Sequence, residues 1–189
     1  KRRCEMAKVC VPLAKGFEEI EAVSLIDVMR RGGIEVVVAG VNEELVTGAN
    51  GITIKADTDI KYVVADELDM VVLPGGWDGT HALAENPTVQ SLLKEMNEKQ
   101  KIVGAICAAP FALKTAGVLP EHYTCYPSVE EQIGNLEGYT DKEKVVIDGN
   151  VMTSRGPGTA ICFGLAIVRK LVGEETYQSL REGLLADYC

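Results

Sequence analysis

The sequence predicts an α/β fold: a mostly parallel sheet, covered by helices on both faces, that carries a cysteine at a sharp strand-to-helix turn. Three observations predict it. Apolar strand-like runs alternate with helical patterns from residue 9 to the end of the chain, which is how a parallel sheet with crossover helices is written. The stretch KIVGAICAAP at residues 101–110 runs from a short apolar strand through Cys107 into small residues and then a helix-forming segment. Glycines and prolines gather at strand ends after Leu73, before Cys107 and after Ser154. Those ends can meet at the carboxyl edge of the sheet, where α/β folds place their ligands.

Taken in order, residues 9–12 form the first strand, and the loop 13–16 leads into FEEIEAVSLIDVMRR. There Ile20, Val23, Ile26 and Ala22, Ile26, Met29 recur at helical spacing, and Gly32-Gly33 ends the helix. Residues 34–39 are the second strand. Asn50-Gly51, set between Leu45-Val46 and residues 52–54, signals a hairpin, an antiparallel excursion at the sheet edge. A short, weakly patterned helix at 60–65 precedes the third main strand, 70–73, which ends in Pro74-Gly75-Gly76-Trp77. Asn86 caps a helix over 88–98, with Pro87 suited to its first turn. Residues 102–105 are the strand before Cys107, and the helix after it stops at Gly117. Residues 122–125 and 145–147 read as strands, 148–150 as a tight turn and 151–154 as the returning strand. Arg155-Gly156-Pro157-Gly158 breaks into a helix over 159–171, and a last helix covers 175–185. No repeat or linker divides the chain, so residues 9–189 are expected to form one domain, with 1–8 an extension left from expression or from a processed leader.

With 189 residues, 47 % of them hydrophobic, the chain can bury a full core. A net charge of −9 argues against nucleic acid, whose phosphates it would repel. No apolar run approaches the ~20 residues of a membrane span. The cysteines, Cys4, Cys10, Cys107, Cys125, Cys162 and Cys189, are scattered without a CxxC pair, which suits neither a disulfide framework nor a zinc cluster. A reducing interior, cytoplasmic or organellar, is expected, with Cys189 no more than a site of adventitious oxidation. With only His81 and His122 present, both expected on the surface, no metal site is foreseen. Gly156-x-Gly158 resembles a dinucleotide fingerprint, but Ile161 stands where the third glycine belongs, so no cofactor is expected.

The chemistry is expected at Cys107. A helix start there offers N–H groups and positive partial charge, which favour a thiolate, while Ala108 and Ala109 leave room for a substrate. A cysteine so placed can instead be a buried structural residue. Glu18, Glu19 and Glu21 crowd the next feature, the first turns of the first helix, where acidic residues stabilise an N-terminus. Glu21 is set apart by its phase, on or beside the apolar face, where burial would raise its pKa and let it exchange a proton with a thiol. Gly75 and Gly76, with the N–H of Ala108, can supply donors to an oxyanion.

The motifs LAKGFEEIEAV, DVMRRGGI, VVLPGG, GAICAAP and TSRGPGTA, in this order, resemble the ThiJ/PfpI superfamily and, within it, the DJ-one-like branch. The resemblance implies a flavodoxin-like three-layer sandwich, a homodimer, and a reactive cysteine at the elbow. It makes Cys107 the thiolate and Glu21 the carboxyl that hydrogen-bonds it. Gly75, Gly76 and Ala108 would line the oxyanion pocket, with Glu18 nearby and Arg155, Gly156 and Pro157 as the far wall. The implied activity is cofactor-free conversion of small 2-oxoaldehydes such as methylglyoxal and glyoxal to 2-hydroxy acids, or deglycation. The alternative is a redox-sensing, chaperone-like role through a Cys107 sulfinate. Ala108 stands where protease-like members carry histidine, so a peptidase or amidase is disfavoured. Tyr126 replaces a histidine often found before the proline, here Pro127, and Asn50 an arginine that sometimes reaches the partner's pocket.

Overall fold

A computed structural model describes residues 6–189; residues 1–5 of the expected extension lie outside them. The elements that build the sheet are β1 (Lys8–Leu13), β2 (Glu35–Gly40), β5 (Thr58–Asp59), β6 (Met70–Leu73), β7 (Ile102–Ile106), β8 (Val145–Asp148) and β9 (Val151–Ser154). Their order is β5-β2-β1-β6-β7-β9-β8. Every neighbouring pair is parallel except the β8–β9 hairpin at one edge. β3 (Leu45–Thr47) and β4 (Thr53–Lys55) form the expected hairpin, but as a sheet of their own. The sheet edge is β5 instead, two residues pairing with Ala39 and Gly40 of β2.

Side chains alternate across the sheet, as the strand period requires. Val9, Val11 and Leu13 of β1, with Met70 and Val72 of β6, enter the core beneath α1 (Glu19–Arg31), α6 (Ala160–Leu171) and α7 (Glu174–Gly183). Cys10, Val71, Leu73, Val103 and Ala105 face the other core, under α2 (Trp77–Glu85), α3 (Pro87–Glu98) and α4 (Pro110–Thr115). The result is the three-layer α/β sandwich foreseen. Gly32 and Gly164 allow the layer of helices to close: a Cβ at Gly164 would stand 2.9 Å from the Val28 side chain. Among the described residues no helix is long and apolar enough to cross a membrane.

Several expectations need correcting. Residues 122–125 do not form a strand; only Tyr123 bridges to Tyr139, while the Thr124 N–H turns to Thr153 Oγ1. Residues 60–65 are not one helix but part of two 3-10 turns, Ile60–Tyr62 and Ala65–Glu67, separated by Val63 and Val64, whose branching favours extended backbone. The short α5 (Val129–Ile133) was not expected, nor was α2, whose Gly79 counts against a helix in the sequence. In the fold Gly79 is what lets α2 lie on the loop before α1, since a Cβ there would sit 2.9 Å from Phe17 Cα. His81 therefore stands on a helix, not a loop. Cys162 and Cys189 form a disulfide, contrary to the expectation for both. The chain separation of 27 residues conceals a neighbourhood that α7 creates by folding the C-terminus back against α6.

Candidate active site

The site is built where β1, β6, β7 and β9 end. Cys107 follows β7 directly and has φ +66°, a left-handed conformation that costs a non-glycine residue about 1–3 kcal/mol. The neighbours over-determine it. The Cys107 N–H donates to the Ser154 carbonyl at 3.0 Å, and the Cys107 carbonyl accepts the Tyr126 N–H at 2.9 Å. The turn lifts the side chain off the sheet and leaves it partly exposed.

Glu21 reaches this thiol from α1. Glu18 is the N-cap of that helix, its Oε2 accepting the Glu21 N–H at 2.8 Å, and its own N–H donates to the Gly75 carbonyl at 3.0 Å. Glu18 thus fixes the first turn of α1 against the end of β6. Glu21 is fully buried, and its Oε1 accepts the Gly75 N–H at 2.9 Å. The carboxyl lies beside the Cys107 side chain, both of them crowding the space at Gly75, and among the described residues Oε2 has no hydrogen-bond partner. Gly75 has to be glycine. A Cβ there would stand 2.6 Å from Glu21 Oε1 and 2.7 Å from Cys107 Cβ. Its N–H is given to Glu21, so the backbone N–H groups that draw the Cys107 thiol's pKa down are those of Ala108 and Gly76.

The electrostatics correct the expectation of a free thiolate set by a helix start. α4 begins with Pro110, which has no N–H to offer, and is one and a half turns long. Burial, chiefly, pushes the Glu21 carboxyl up to about 7, with the Glu18 charge adding, against the pull of Cys107 and of the Gly75 hydrogen bond. Burial and the Glu21 charge hold the Cys107 thiol above its ordinary value, opposed by the Ala108 and Gly76 N–H groups. Two negative charges at this separation exclude each other, so near neutral pH the pair retains a proton. The thiol is the more weakly acidic of the two, so the proton rests on sulfur, and its transfer to Glu21 frees a thiolate that the Ala108 and Gly76 N–H groups favour.

The 155–157 turn follows Ser154, whose carbonyl accepts the Cys107 N–H. Gly156 is extended, and a Cβ there would lie 3.3 Å from the Tyr126 ring, which covers it. Pro157 opens a 3-10 turn held by Thr159 Oγ1, which accepts the Arg155 and Gly156 N–H groups. The Arg155 guanidinium turns away to Tyr139 Oη at 2.8 Å and the Asp141 carbonyl at 3.3 Å. Neither histidine hydrogen-bonds to Cys107 or Glu21: both are exposed, His81 stacked on Trp77 and His122 held by its backbone N–H on Asp148.

Glu19, which the sequence offers only as a helix-start charge, is buried and clamps the hairpin. Its carboxylate accepts the Asn50 N–H at 2.7 Å, Asn50 Nδ2 at 3.0 Å and the Ile52 N–H at 3.1 Å. Burial pushes this carboxyl up, but the donors outweigh it and hold it below the usual value. Trp77 and Phe111 were also not foreseen as neighbours; the signal was that Trp77 directly follows the two glycines.

Comparison with known proteins agrees with the fold. The family model described as "DJ-1/PfpI family" matches residues 7–170. The chain is 44 % identical over 180 residues to the Drosophila melanogaster protein dj-1beta, covering 94 % of this chain and 96 % of that one. The crystal structure of that protein superposes with a TM-score of 0.92 at 43 % identity, covering 96 % and 98 % of the two chains. A Caenorhabditis elegans relative, "Glutathione-independent glyoxalase DJR-1.2", is 41 % identical over 170 residues, covering 88 % and 89 %. A structure of Toxoplasma gondii DJ-1 described as oxidized superposes with a TM-score of 0.88 at 35 % identity, covering 95 % and 98 %.

Proposed function

The chain belongs to the DJ-1/PfpI family, and on that premise we propose that it converts small 2-oxoaldehydes such as methylglyoxal and glyoxal to 2-hydroxy acids without a cofactor. The observation that carries the reading is the buried Glu21 carboxyl, fixed by Gly75, raised to about 7 and packed beside Cys107. A general acid–base is most effective with a pKa near the working pH. The name of the C. elegans relative supports the same reaction class.

In this reading Cys107 Sγ attacks the aldehyde carbon, and the proton held by Glu21 passes to the aldehyde oxygen, giving a hemithioacetal. The Gly76 and Ala108 N–H groups stabilise the oxygen charge as it develops. Glu21, now a carboxylate, takes the hydrogen from the former aldehyde carbon. The resulting enediol is reprotonated at the neighbouring carbon, leaving a thioester of the 2-hydroxy acid. Water cleaves the thioester and restores the thiol. The aldehyde carbon is oxidised and the ketone carbon reduced, so no outside oxidant is required.

A second reading has one specific observation behind it. Two N–H donors and a carboxyl converge on a half-exposed sulfur, which also suits a sulfinate formed by peroxide and a redox-linked protective role. Peptidase chemistry has no histidine beside the thiol to serve as its base. For assembly, we propose a homodimer. Ile20 and Val23 of α1 are exposed, and a concavity of about 590 Å³ lies between α1 and the hairpin, where Val23, Ile26 and Ile54 are set among the charged Asp27, Arg30 and Lys55.

The test is chiral analysis of lactate formed from methylglyoxal, without glutathione, by the reduced wild type and by Cys107→Ser. Lactate of one hand from the wild type and none from the variant is the expected result. A folded, reduced wild type that makes no lactate overturns the glyoxalase reading and leaves the redox one.

A further inference from the structure

Each of the two backbone donors at Cys107 is followed along the chain by an aromatic side chain. Trp77 comes directly after Gly76 and begins α2, and Phe111 lies one turn beyond Ala108, its N–H donating to the Ala108 carbonyl at 3.1 Å. The two rings meet edge to face, with centroids 6.0 Å apart. His81, one turn further along α2, stacks on Trp77 at 5.1 Å and approaches Phe111 at 5.4 Å.

This cluster is not core. Trp77 is 37 % exposed, His81 is exposed and Phe111 only half-buried, although an indole ordinarily hides about 150–250 Å² when the fold needs it. Nor is it a chance solitary apolar residue, because rings from two helices are arranged against one another beside the elbow. Glu21 and Gly75, which pack against the Cys107 side chain, are buried. For a substrate whose aldehyde carbon is bonded to Sγ, the rings that follow Gly76 and Ala108 are the aromatic surface these elements offer to its substituent.

We infer that Trp77, His81 and Phe111 form an aromatic subsite for the substituent of the substrate, selecting 2-oxoaldehydes that carry an aryl group. The inference rests on the 2-oxoaldehyde reading. Phenylglyoxal plus water gives mandelate by the same internal transfer that takes methylglyoxal to lactate. Laying about half of a phenyl ring on these faces is worth roughly tenfold in affinity over a methyl group.

The chain has a single tryptophan, so Trp77 emission reports the subsite directly. The experiment has two arms. In the first, mandelate and lactate are titrated against the Cys107→Ser protein while that emission is followed. In the second, the ratio of kcat/KM for phenylglyoxal to that for methylglyoxal is measured in the wild type, Trp77→Ala and Phe111→Leu, the last keeping the core contact without the ring. Expected are saturable quenching by mandelate at roughly tenfold lower concentration than lactate, and an aryl preference of similar size that falls towards unity in both variants. An aryl-to-methyl ratio unchanged by both substitutions, or no quenching by mandelate, overturns the subsite. If the wild type turns over neither aldehyde, the glyoxalase reading fails by itself. Quenching by mandelate that is lost in Phe111→Leu then still supports the subsite, and its absence still overturns it.

Discussion

Gly75 hands its N–H to Glu21 Oε1 at 2.9 Å and, by lacking a side chain, leaves open the space through which Glu21 meets Cys107. Adding one methyl group at this position should therefore separate the acid–base from the nucleophile without touching either. Gly75→Ala is expected to lower kcat/KM for methylglyoxal by about 100-fold, the scale of a misplacement near 1 Å, with the far-UV spectrum retained. Wild-type turnover in the folded variant would contradict the packing described.

Glu21→Gln keeps the shape and an acceptor for Gly75 but abolishes the proton exchange. Turnover should fall by roughly 10²–10⁴-fold. The same change removes the charge that helps to hold the thiol high, so the midpoint of Cys107 alkylation against pH should move downwards. A midpoint that stays or rises would show that Glu21 does not govern the thiol.

The raised pKa of Glu21 is also a statement about stability. Its folded value, about 7, lies above the ordinary 4.5. Between those values the unfolded chain releases the proton and the folded chain keeps it. The unfolded state therefore binds fewer protons, and stability falls as pH rises through this window. The cost levels off above pH 7 at a few kcal/mol, about 3 if Glu21 acted alone. Chemical denaturation at pH 5 and pH 8 should show Glu21→Gln gaining on the wild type at the higher pH; equal differences at both would refute the assignment.

Mild peroxide should add two oxygens to Cys107 before it alters Cys10 or Cys125. Cys107 is partly exposed, whereas the latter two are buried and shielded from the oxidant. Peptide mass spectrometry reads the order, and simultaneous oxidation of the three would remove the basis for a sensing role at Cys107.

The parts of the site that could be read from the sequence are those carried by local pattern. Cys107 stands where an apolar strand gives way to small residues, and Glu21 is distinguished from Glu18 and Glu19 by helical phase alone. What escaped depends on contacts between segments. The Gly79 that conceals α2 makes sense only against Phe17, and the role of Glu19 requires the hairpin to fold back over it. Residues 122–125 look like a strand because Tyr123 and Cys125 are apolar and buried, yet their polar partners lie in the 138–140 loop and on Thr153. The state of the thiol was misjudged for the same reason: its nearest charge is 86 residues away along the chain.

The left-handed backbone at Cys107 makes this the place where the requirements of reactivity and of durability come apart. Elsewhere a glycine in place of alanine loosens a chain, because the unfolded ensemble gains freedom. Here the order should invert, with Cys107→Gly more stable than Cys107→Ala by about 1 kcal/mol, since only glycine occupies that conformation without strain. Comparison of the two thermal midpoints would measure it. The sturdier occupant of position 107 is one that has no sulfur, so the cysteine found there is retained against the preference of the fold.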